Sequence, residues 1–125
     1  MGLWAAAVLL LATPALADPC EAPLPKRGQV FSGTVRYVGD GDSLCVDGPS
    51  GLIEVRLADF YAPELHDAGG RQAKAALERI AMGRTIVCKA GKRSYDRVVA
   101  ACVLDRVSLG DHMRRYGVKE GGRGR

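Results

Sequence analysis

Five short strand-like segments and one helix-like segment, in a fixed order, constrain the fold of this chain more than any other feature. Three segments rich in β-branched and aromatic residues come first, a segment with apolar residues at helical spacing follows, and two strand-like segments come last. The predicted elements cover, in chain order, residues 30–38, 44–46, 52–60, 68–83, 84–90 and 98–104. This order predicts an α+β fold that is mainly β.

The helices carry their own start and stop signals. Asp67 is predicted as the N-cap of the first helix, and Gly83 lies just beyond its end. A short C-terminal helix is predicted between Ser108 as N-cap and Gly117 as the stop. Three strands, a helix and two strands match the order of a five-stranded OB barrel, with one helix between strands 3 and 4 and one at the C-terminal end. A generic α+β domain is the alternative.

The chain begins with an uncharged apolar run that ends in Ala15-Leu16-Ala17, a pattern typical of a cleaved export signal. An uncleaved anchor is the alternative, although the run is short for a membrane span. We therefore predict a signal peptide at 1–17, an extended lead-in at 18–28, one domain at 29–118 and a basic Gly/Arg tail at 119–125. The mature protein is expected in the periplasm or outside the cell, without contact with a membrane.

All four cysteines follow the predicted signal peptide, and an even number in an oxidising compartment predicts disulfides. Cys88 and Cys102 lie on the last two predicted strands, equally far from Tyr95, which predicts that they pair. Cys20 is then expected to pair with Cys45. The absence of a C-x-x-C pair argues against a zinc site.

The formal net charge of +4 belongs wholly to the predicted mature protein, because the signal segment has no charged side chain. A basic excess suits a polyanionic partner, although many exported domains are basic without binding nucleic acid. Several cations are predicted to be solvated and to add only non-specific attraction for phosphate, namely Lys92, Arg93, Arg114, Arg115, Arg123 and Arg125.

Charged residues concentrate where three of the predicted strands end. D-G-D at 40–42 follows strand 1, Arg56 and Glu64 flank the end of strand 3, and Arg97 precedes strand 5. Loops at the ends of a barrel commonly carry function. Carboxylates suit a hard cation such as Ca²⁺, and arginine suits phosphoryl oxygens. Cleavage of a phosphodiester needs these groups and a base for a positioned water, so the pattern favours phosphodiester chemistry.

Three blocks resemble the signature blocks of the staphylococcal nuclease (thermonuclease) family. They are GDGDS at 39–43, VRL at 55–57 with APE at 62–64, and SYDRVVA at 94–100, and their order and spacing agree with the family across 30–118. The resemblance implies an OB fold and Ca²⁺-dependent hydrolysis of DNA and RNA. The domain is thus expected to be a thermonuclease-like monomer that acts on nucleic acid.

Carried over residue by residue, the resemblance implies roles for the catalytic residues. Glu64 would be the general base that acts through water, and Arg56 and Arg97 would be the two phosphate-binding arginines. Tyr95 would lie beside the bound nucleotide.

The resemblance also implies the calcium ligands. Asp42 and the backbone carbonyl of Ala62 would bind the ion, with Asp40 as a further candidate. The family usually has Asp where this chain has Tyr61, and a phenol is a poor Ca²⁺ ligand at neutral pH. Asp59, on the same face as Tyr61 if the strand stays extended, is the candidate replacement. Tyr61 itself is expected to pack or to stack on a base of the substrate.

Three functions stay open on the sequence alone. The leading one is an exported Ca²⁺-dependent nuclease. Because of Tyr61, the second is an OB barrel that binds single-stranded nucleic acid without cutting it. The third is a disulfide-stapled exported domain with a protein partner. Divalent-dependent cleavage separates the first from the second, and a salt-sensitive mobility shift separates the second from the third.

Overall fold

The computed structural model describes residues 19–121. The predicted signal peptide and the last four residues of the predicted tail lie outside the described residues. The elements are, in chain order, β1 (Val30–Asp40), β2 (Ser43–Gly48), β3 (Gly51–Leu57), α1 (Gly70–Ala81), β4 (Thr85–Ser94), β5 (Arg97–Leu104), β6 (Val107–Ser108) and α2 (Leu109–Tyr116). Within 19–121, neither helix has the length and apolarity needed to cross a membrane.

Five strands close into a barrel. Antiparallel neighbours follow the order β3-β2-β1-β4-β5, and a parallel pairing between β3 and β5 closes the ring. The closure removes the sheet edges that would otherwise be left unpaired. The predicted fold, a mainly β five-stranded barrel with a helix between strands 3 and 4 and a C-terminal helix, is confirmed. The short strand β6, which pairs with the end of β5, was not predicted.

One hydrophobic core fills the barrel and extends under both helices. α1 buries Ala73, Ala76, Leu77 and Ala81, as its apolar spacing predicts. α2 adds Leu109 and Met113, both fully buried. Burial of a leucine or methionine side chain stabilises the fold by about 1.5–3 kcal/mol. The small residues of α1 let this helix lie close to the barrel, which matters for the turn between β1 and β2.

The helix boundaries test the capping predictions. Ser108 is the N-cap of α2, and its hydroxyl accepts a hydrogen bond of 3.0 Å from the Asp111 N–H. Gly117 ends α2 in the left-handed conformation, with φ 96°. The prediction for Asp67 was wrong, because Gly69 is the N-cap of α1. Asp67 lies in a turn before the helix, where its carbonyl accepts a hydrogen bond from the Gly70 N–H.

Two disulfides link the four cysteines in the predicted pairs, Cys88 with Cys102 and Cys20 with Cys45. Cys88 and Cys102 are directly paired residues of β4 and β5 and belong to the core. Cys20 and Cys45 also are buried, but they lie outside that core cluster. Disulfides of this kind are typical of proteins outside the reducing cytoplasm.

The lead-in is attached to the barrel along its length. The Ala22 N–H donates to the Leu52 carbonyl at 3.0 Å, and the Gly28 N–H donates to the Ala90 carbonyl at 2.8 Å. Alternation along β3 would expose Glu54, yet this residue is only 9% exposed. Glu54 is the cross-strand partner of Cys45, so the cross-linked lead-in covers the outer face of the barrel there.

Candidate functional site

The turn between β1 and β2 holds two aspartates in a network of hydrogen bonds. Asp40 Oδ1 accepts from the Asp42 N–H at 3.0 Å and from the Ser43 hydroxyl at 2.8 Å. Asp42 Oδ2 accepts from the Ala62 N–H at 3.0 Å. The Asp42 carbonyl accepts from the Leu57 N–H at 2.8 Å. The turn is therefore fixed both to the end of β3 and to the loop that follows it.

Gly41, between the two aspartates, is the point of closest packing at the site. A Cβ atom at this position would lie 2.7 Å from the Ala62 Cβ and 2.5 Å from the Ala73 Cβ. Carbon atoms pack at about 3.5–4.0 Å. Only glycine therefore lets the turn fit between the loop after β3 and helix α1.

The pKa values of the two aspartates shift in opposite directions, because the two carboxyl groups interact and one of them ionises more easily than the other. Asp42 is 4% exposed. Its burial, with the hydrogen bond and negative charge of Asp40, raises the pKa of Asp42 to about 7 against the opposing effects of the Ala62 N–H and Arg56. Burial also works to raise the pKa of Asp40, but hydrogen bonds from Asp42 and the charge of Arg97 outweigh it and lower that pKa. Near neutral pH Asp40 is therefore ionised and Asp42 only partly so, and the pair holds between one and two negative charges.

Barrel closure brings the two predicted arginines to this aspartate pair. Arg56 on β3 is paired with Ser43 of β2 and with Val99 of β5. Arg97 is the first residue of β5. The charge of Arg56 acts on Asp42 and that of Arg97 acts on Asp40. Residues far apart in the sequence thus form one cluster of two carboxylates and two guanidinium groups.

Tyr61 contacts Arg56 in the structure. The guanidinium carbon of Arg56 lies 5.8 Å from the centroid of the Tyr61 ring, which is a cation–π contact. The Tyr61 N–H donates to Glu120 Oε1 at 3.1 Å, and its carbonyl accepts from the Gly121 N–H at 2.7 Å. Tyr61 therefore lies between an arginine of the site and the C-terminal tail.

Asp59 lies apart from the aspartate pair. β3 ends at Leu57, so the extended strand that would have put Asp59 and Tyr61 on one face does not continue. The Asp59 carboxylate packs instead against Gly110 in the first turn of α2, where a Cβ atom would lie 2.7 Å from the carboxyl carbon. Across 19–121, no three His, Cys, Asp or Glu side chains meet as a group that could hold a metal.

The N–H and the carbonyl group of Ala62 face different parts of the molecule. Its N–H faces Asp42, whereas its carbonyl oxygen lies close to Gly121, where a Cβ atom would be 2.9 Å away. The carboxyl groups that the structure brings together are thus those of Asp40 and Asp42, whereas the Ala62 carbonyl, predicted as a ligand, faces the tail. Two adjacent carboxyl groups fit a divalent cation, because the cation favours their ionised forms and completes its shell with water.

Arg114, predicted to be a solvated cation, holds several segments together. Its guanidinium donates to Asp111 at 3.0 Å, contacts Glu120 at 3.4 Å and donates to the Asp59 carbonyl. It also lies over the Phe60 ring, 5.5 Å from the centroid. Arg114 fixes the loop between β3 and Ala62, and nothing in a single sequence signals contacts across such separations.

The side chains of Glu64 and Tyr95 form no hydrogen bond or ion pair with the four residues of this cluster. Glu64 is exposed, and its carboxylate forms no hydrogen bond or ion pair with any residue of 19–121. Glu64 and Tyr61 line a cavity of about 780 Å³, which lies between the loop after β3, the start of α1 and the tail. Tyr95, at the tip of the β4–β5 hairpin, is 92% exposed with φ 57°.

Comparison with known proteins gives a distant relative but no family. No protein family model matches this chain. An uncharacterized endonuclease of Haemophilus influenzae (strain ATCC 51907 / DSM 11121 / KW20 / Rd) is 29% identical to it over 83 residues, which are 65% of this chain and 47% of that protein. The chain therefore spans about half the length of this relative.

Proposed function

We propose that the protein is an exported nuclease of the thermonuclease type, which hydrolyses phosphodiester bonds of DNA and RNA. The observation that carries the proposal is the cluster in which Asp40 and Asp42 lie within electrostatic range of Arg97 and Arg56. An acidic pair beside two arginines suits a cation and a phosphate bound side by side. The similarity to a protein described as an endonuclease supports the same reaction class.

In this proposal Asp42, with Asp40, holds Ca²⁺. When bound, the ion supplies positive charge that stabilises phosphoryl oxygens and favours ionised water. Arg56 and Arg97 bind the non-bridging oxygens of the scissile phosphate and neutralise the charge that develops there. The Tyr61 ring contacts the Arg56 guanidinium group and so limits the directions from which a phosphate can approach it. Glu64, exposed at the mouth of the cavity, takes a proton from the attacking water.

The cavity beside Glu64 suits the uncharged parts of a nucleotide. Its volume, about 780 Å³, lies within the usual range for small-molecule sites, about 300–1,000 Å³. Tyr61 and Tyr116 contribute aromatic surface, and the lining is acidic because Glu64, Asp67 and Glu120 outnumber Lys119. An acidic lining disfavours phosphate and tolerates base or sugar. The phosphate is therefore assigned to the arginines, and an unstacked nucleoside to the cavity.

A second candidate function is binding of single-stranded nucleic acid without cleavage. The observation that favours it is the ring of Tyr61 over Arg56, because an aromatic group occupies the position where a third carboxylate would serve the metal. Asp59 packs against α2 instead of joining Asp42. Arginines and exposed tyrosines are sufficient for stacking and backbone contact on a single strand.

The test is cleavage of single-stranded DNA by the oxidised protein in Ca²⁺ and in chelator, with Glu64→Gln as the matched variant. A nuclease is expected to cut only in Ca²⁺. The cleavage rate of Glu64→Gln is expected to be about 10²–10⁴-fold lower, which is the range for loss of a general base. Binding without cutting in Ca²⁺, Mg²⁺ and Mn²⁺ would establish the second function instead. Undiminished cutting by Glu64→Gln would remove Glu64 from the mechanism.

A further inference from the structure

Four cations surround a second cavity, away from the aspartate pair. This cavity, of about 440 Å³, lies where the lead-in meets the β4–β5 hairpin. The cations are Lys26, Arg27, Lys92 and Arg93, which we call the basic cluster. Leu24, Pro25, Gly91 and Val98 complete the lining. Half of the cluster thus comes from a segment that the sequence predicted only as an extended lead-in.

A tight turn presents the first two cations. The Gln29 N–H donates to the Lys26 carbonyl at 2.9 Å, which closes a four-residue turn around Arg27 and Gly28. Gly28 has φ 88°, a value that suits glycine at the third position of such a turn. The Gly28 N–H donates to the Ala90 carbonyl at 2.8 Å, so the turn is anchored to β4.

A β-bulge presents the other two cations. Ala90 pairs with Ala100 and Arg93 pairs with Val98, so two residues of β4 stand opposite one residue of β5. Bulges of this kind redirect side chains out of the regular alternation. Gly91 makes the bulge possible, because a Cβ atom there would lie 2.7 Å from the Val99 carbonyl oxygen. The cluster is therefore built by two local backbone features that both depend on glycine.

The four cations are not neutralised by carboxylates of the described chain. The ion pairs within 19–121 that involve arginine use Arg36, Arg84 and Arg114, which contact Asp47, Asp105, Asp111 and Glu120. No residue of the basic cluster forms an ion pair with another residue of that range. Four like charges around one cavity repel each other, and an anionic ligand would relieve that repulsion.

The cluster lies on the same hairpin as part of the candidate site. Arg93 is paired with Val98, and the next pair along the hairpin is Ser94 with Arg97. Neighbouring residues of a strand alternate between its faces, so Arg93, which shares a face with Val98, lies on the opposite face of the hairpin from Arg97. Tyr95, at the exposed tip of the hairpin, lies between these two faces. A single strand whose phosphate is bound by Arg97 can reach the basic cluster by passing over this tip.

We infer that the basic cluster binds the sugar-phosphate backbone of a single-stranded nucleic acid next to the phosphate that is cut. This inference rests on the proposed function, which it extends from one phosphate to a longer strand. It assigns the substrate class as single strands of several nucleotides. The position of the cluster on the same hairpin as Arg97 and the exposed Tyr95 favours nucleic acid over other polyanions.

The experiment compares two double variants that each remove two positive charges. The cluster variant is Lys92→Gln with Arg93→Gln, and the matched control is Arg36→Gln with Arg84→Gln, whose cations already have carboxylate partners. Fluorescence anisotropy measures the affinity of the oxidised protein for a labelled oligo-dT twelve-mer in chelator over a range of KCl. Circular dichroism confirms that each variant is folded.

The cluster variant is expected to flatten the dependence of log K on log salt by about 1.4, at about 0.7 for each lost contact with a single-strand phosphate. This corresponds to about 25-fold weaker binding at 0.1 M salt. The control is expected to keep the wild-type slope. Equal slopes and affinities for the two variants would overturn the inference.

Two further outcomes separate this inference from the proposed function. If wild-type protein cuts the strand in Ca²⁺ but the two variants bind it equally well, only the role of the basic cluster fails. If wild-type protein neither binds nor cuts the strand, the proposed function is wrong, and so is the inference that rests on it. A cluster variant that loses affinity only for phosphatidylserine vesicles, and not for the oligonucleotide, would overturn the inference in favour of a membrane.

Discussion

Replacement of Gly41 by alanine is expected to damage the site through packing alone. The new Cβ would lie 2.5 Å from the Ala73 Cβ and 2.7 Å from the Ala62 Cβ, so each neighbour must move by about 1 Å to reach ordinary contact. Overpacking of this kind costs about 1–3 kcal/mol. A shift of Ala62 also lengthens its 3.0 Å hydrogen bond to buried Asp42, at a cost of about 1–3 kcal/mol. The expected loss of unfolding free energy is about 2–5 kcal/mol after partial relaxation.

Urea denaturation followed by circular dichroism measures this loss, and calorimetry tests the proposed Ca²⁺ site, whose affinity should fall with it. Ala73→Gly is the matched variant, since it removes one of the two clashing atoms. Alone it should destabilise α1 by about 1 kcal/mol. Combined with Gly41→Ala it should recover part of the loss, giving a coupling energy above about 1 kcal/mol. Strict additivity, or a Gly41→Ala protein of wild-type stability, would refute this reasoning.

Three other perturbations have defined outcomes. Replacement of Cys20 and Cys45 together by alanine should lower the unfolding free energy by about 3.5 kcal/mol, because the disulfide closes a separation of 25 residues; a urea-measured loss below about 1 kcal/mol would contradict this. Asp59→Ala should cost about 0.5–2 kcal/mol through the lost interaction with the α2 dipole and leave calorimetric Ca²⁺ affinity unchanged; a tenfold weaker affinity would make Asp59 a ligand. The pKa of Asp42 is about 7 in the folded protein and about 3.9 in the unfolded chain. Between about pH 4 and 7 the metal-free folded state therefore binds more protons than the unfolded chain, and its stability falls as the pH rises through this range. Asp42→Asn should flatten this dependence, and an unchanged pH profile would argue against the shift.

The sequence predicts the fold well because the determining signals are local. The order of the elements, the N-cap at Ser108 and the stop at Gly117 each depend on a few neighbouring residues. The one wrong cap, Asp67, is a good capping residue placed two residues before the true N-cap, Gly69. Gly70 packs where a Cβ would lie 2.8 Å from the Glu64 carbonyl carbon, so the close approach of two backbones, rather than capping preference, determines where the helix begins.

The candidate site is harder to predict because its contacts join distant parts of the chain. The sequence places Asp42 and Arg56 in suitable positions, but it does not show that the Tyr61 ring contacts Arg56. Nor does it show that β3 ends at Leu57, which directs Asp59 to α2 and away from Asp42. Local patterns show which candidate site residues the chain contains. The path of the chain between the elements determines which of them come into contact.

The pairing of the cysteines has a consequence for how the chain matures. Each disulfide joins cysteines that are consecutive along the sequence, Cys20 with Cys45 and Cys88 with Cys102. If the chain is exported N-terminus first, as we propose, the first bridge can close before the second pair of cysteines arrives, and neither bridge has to wait for a distant thiol. The native pairing is also the one formed by joining each cysteine to its neighbour in order of appearance. Oxidation in this order needs no slow reshuffling of wrong disulfides, a step that takes seconds to hours.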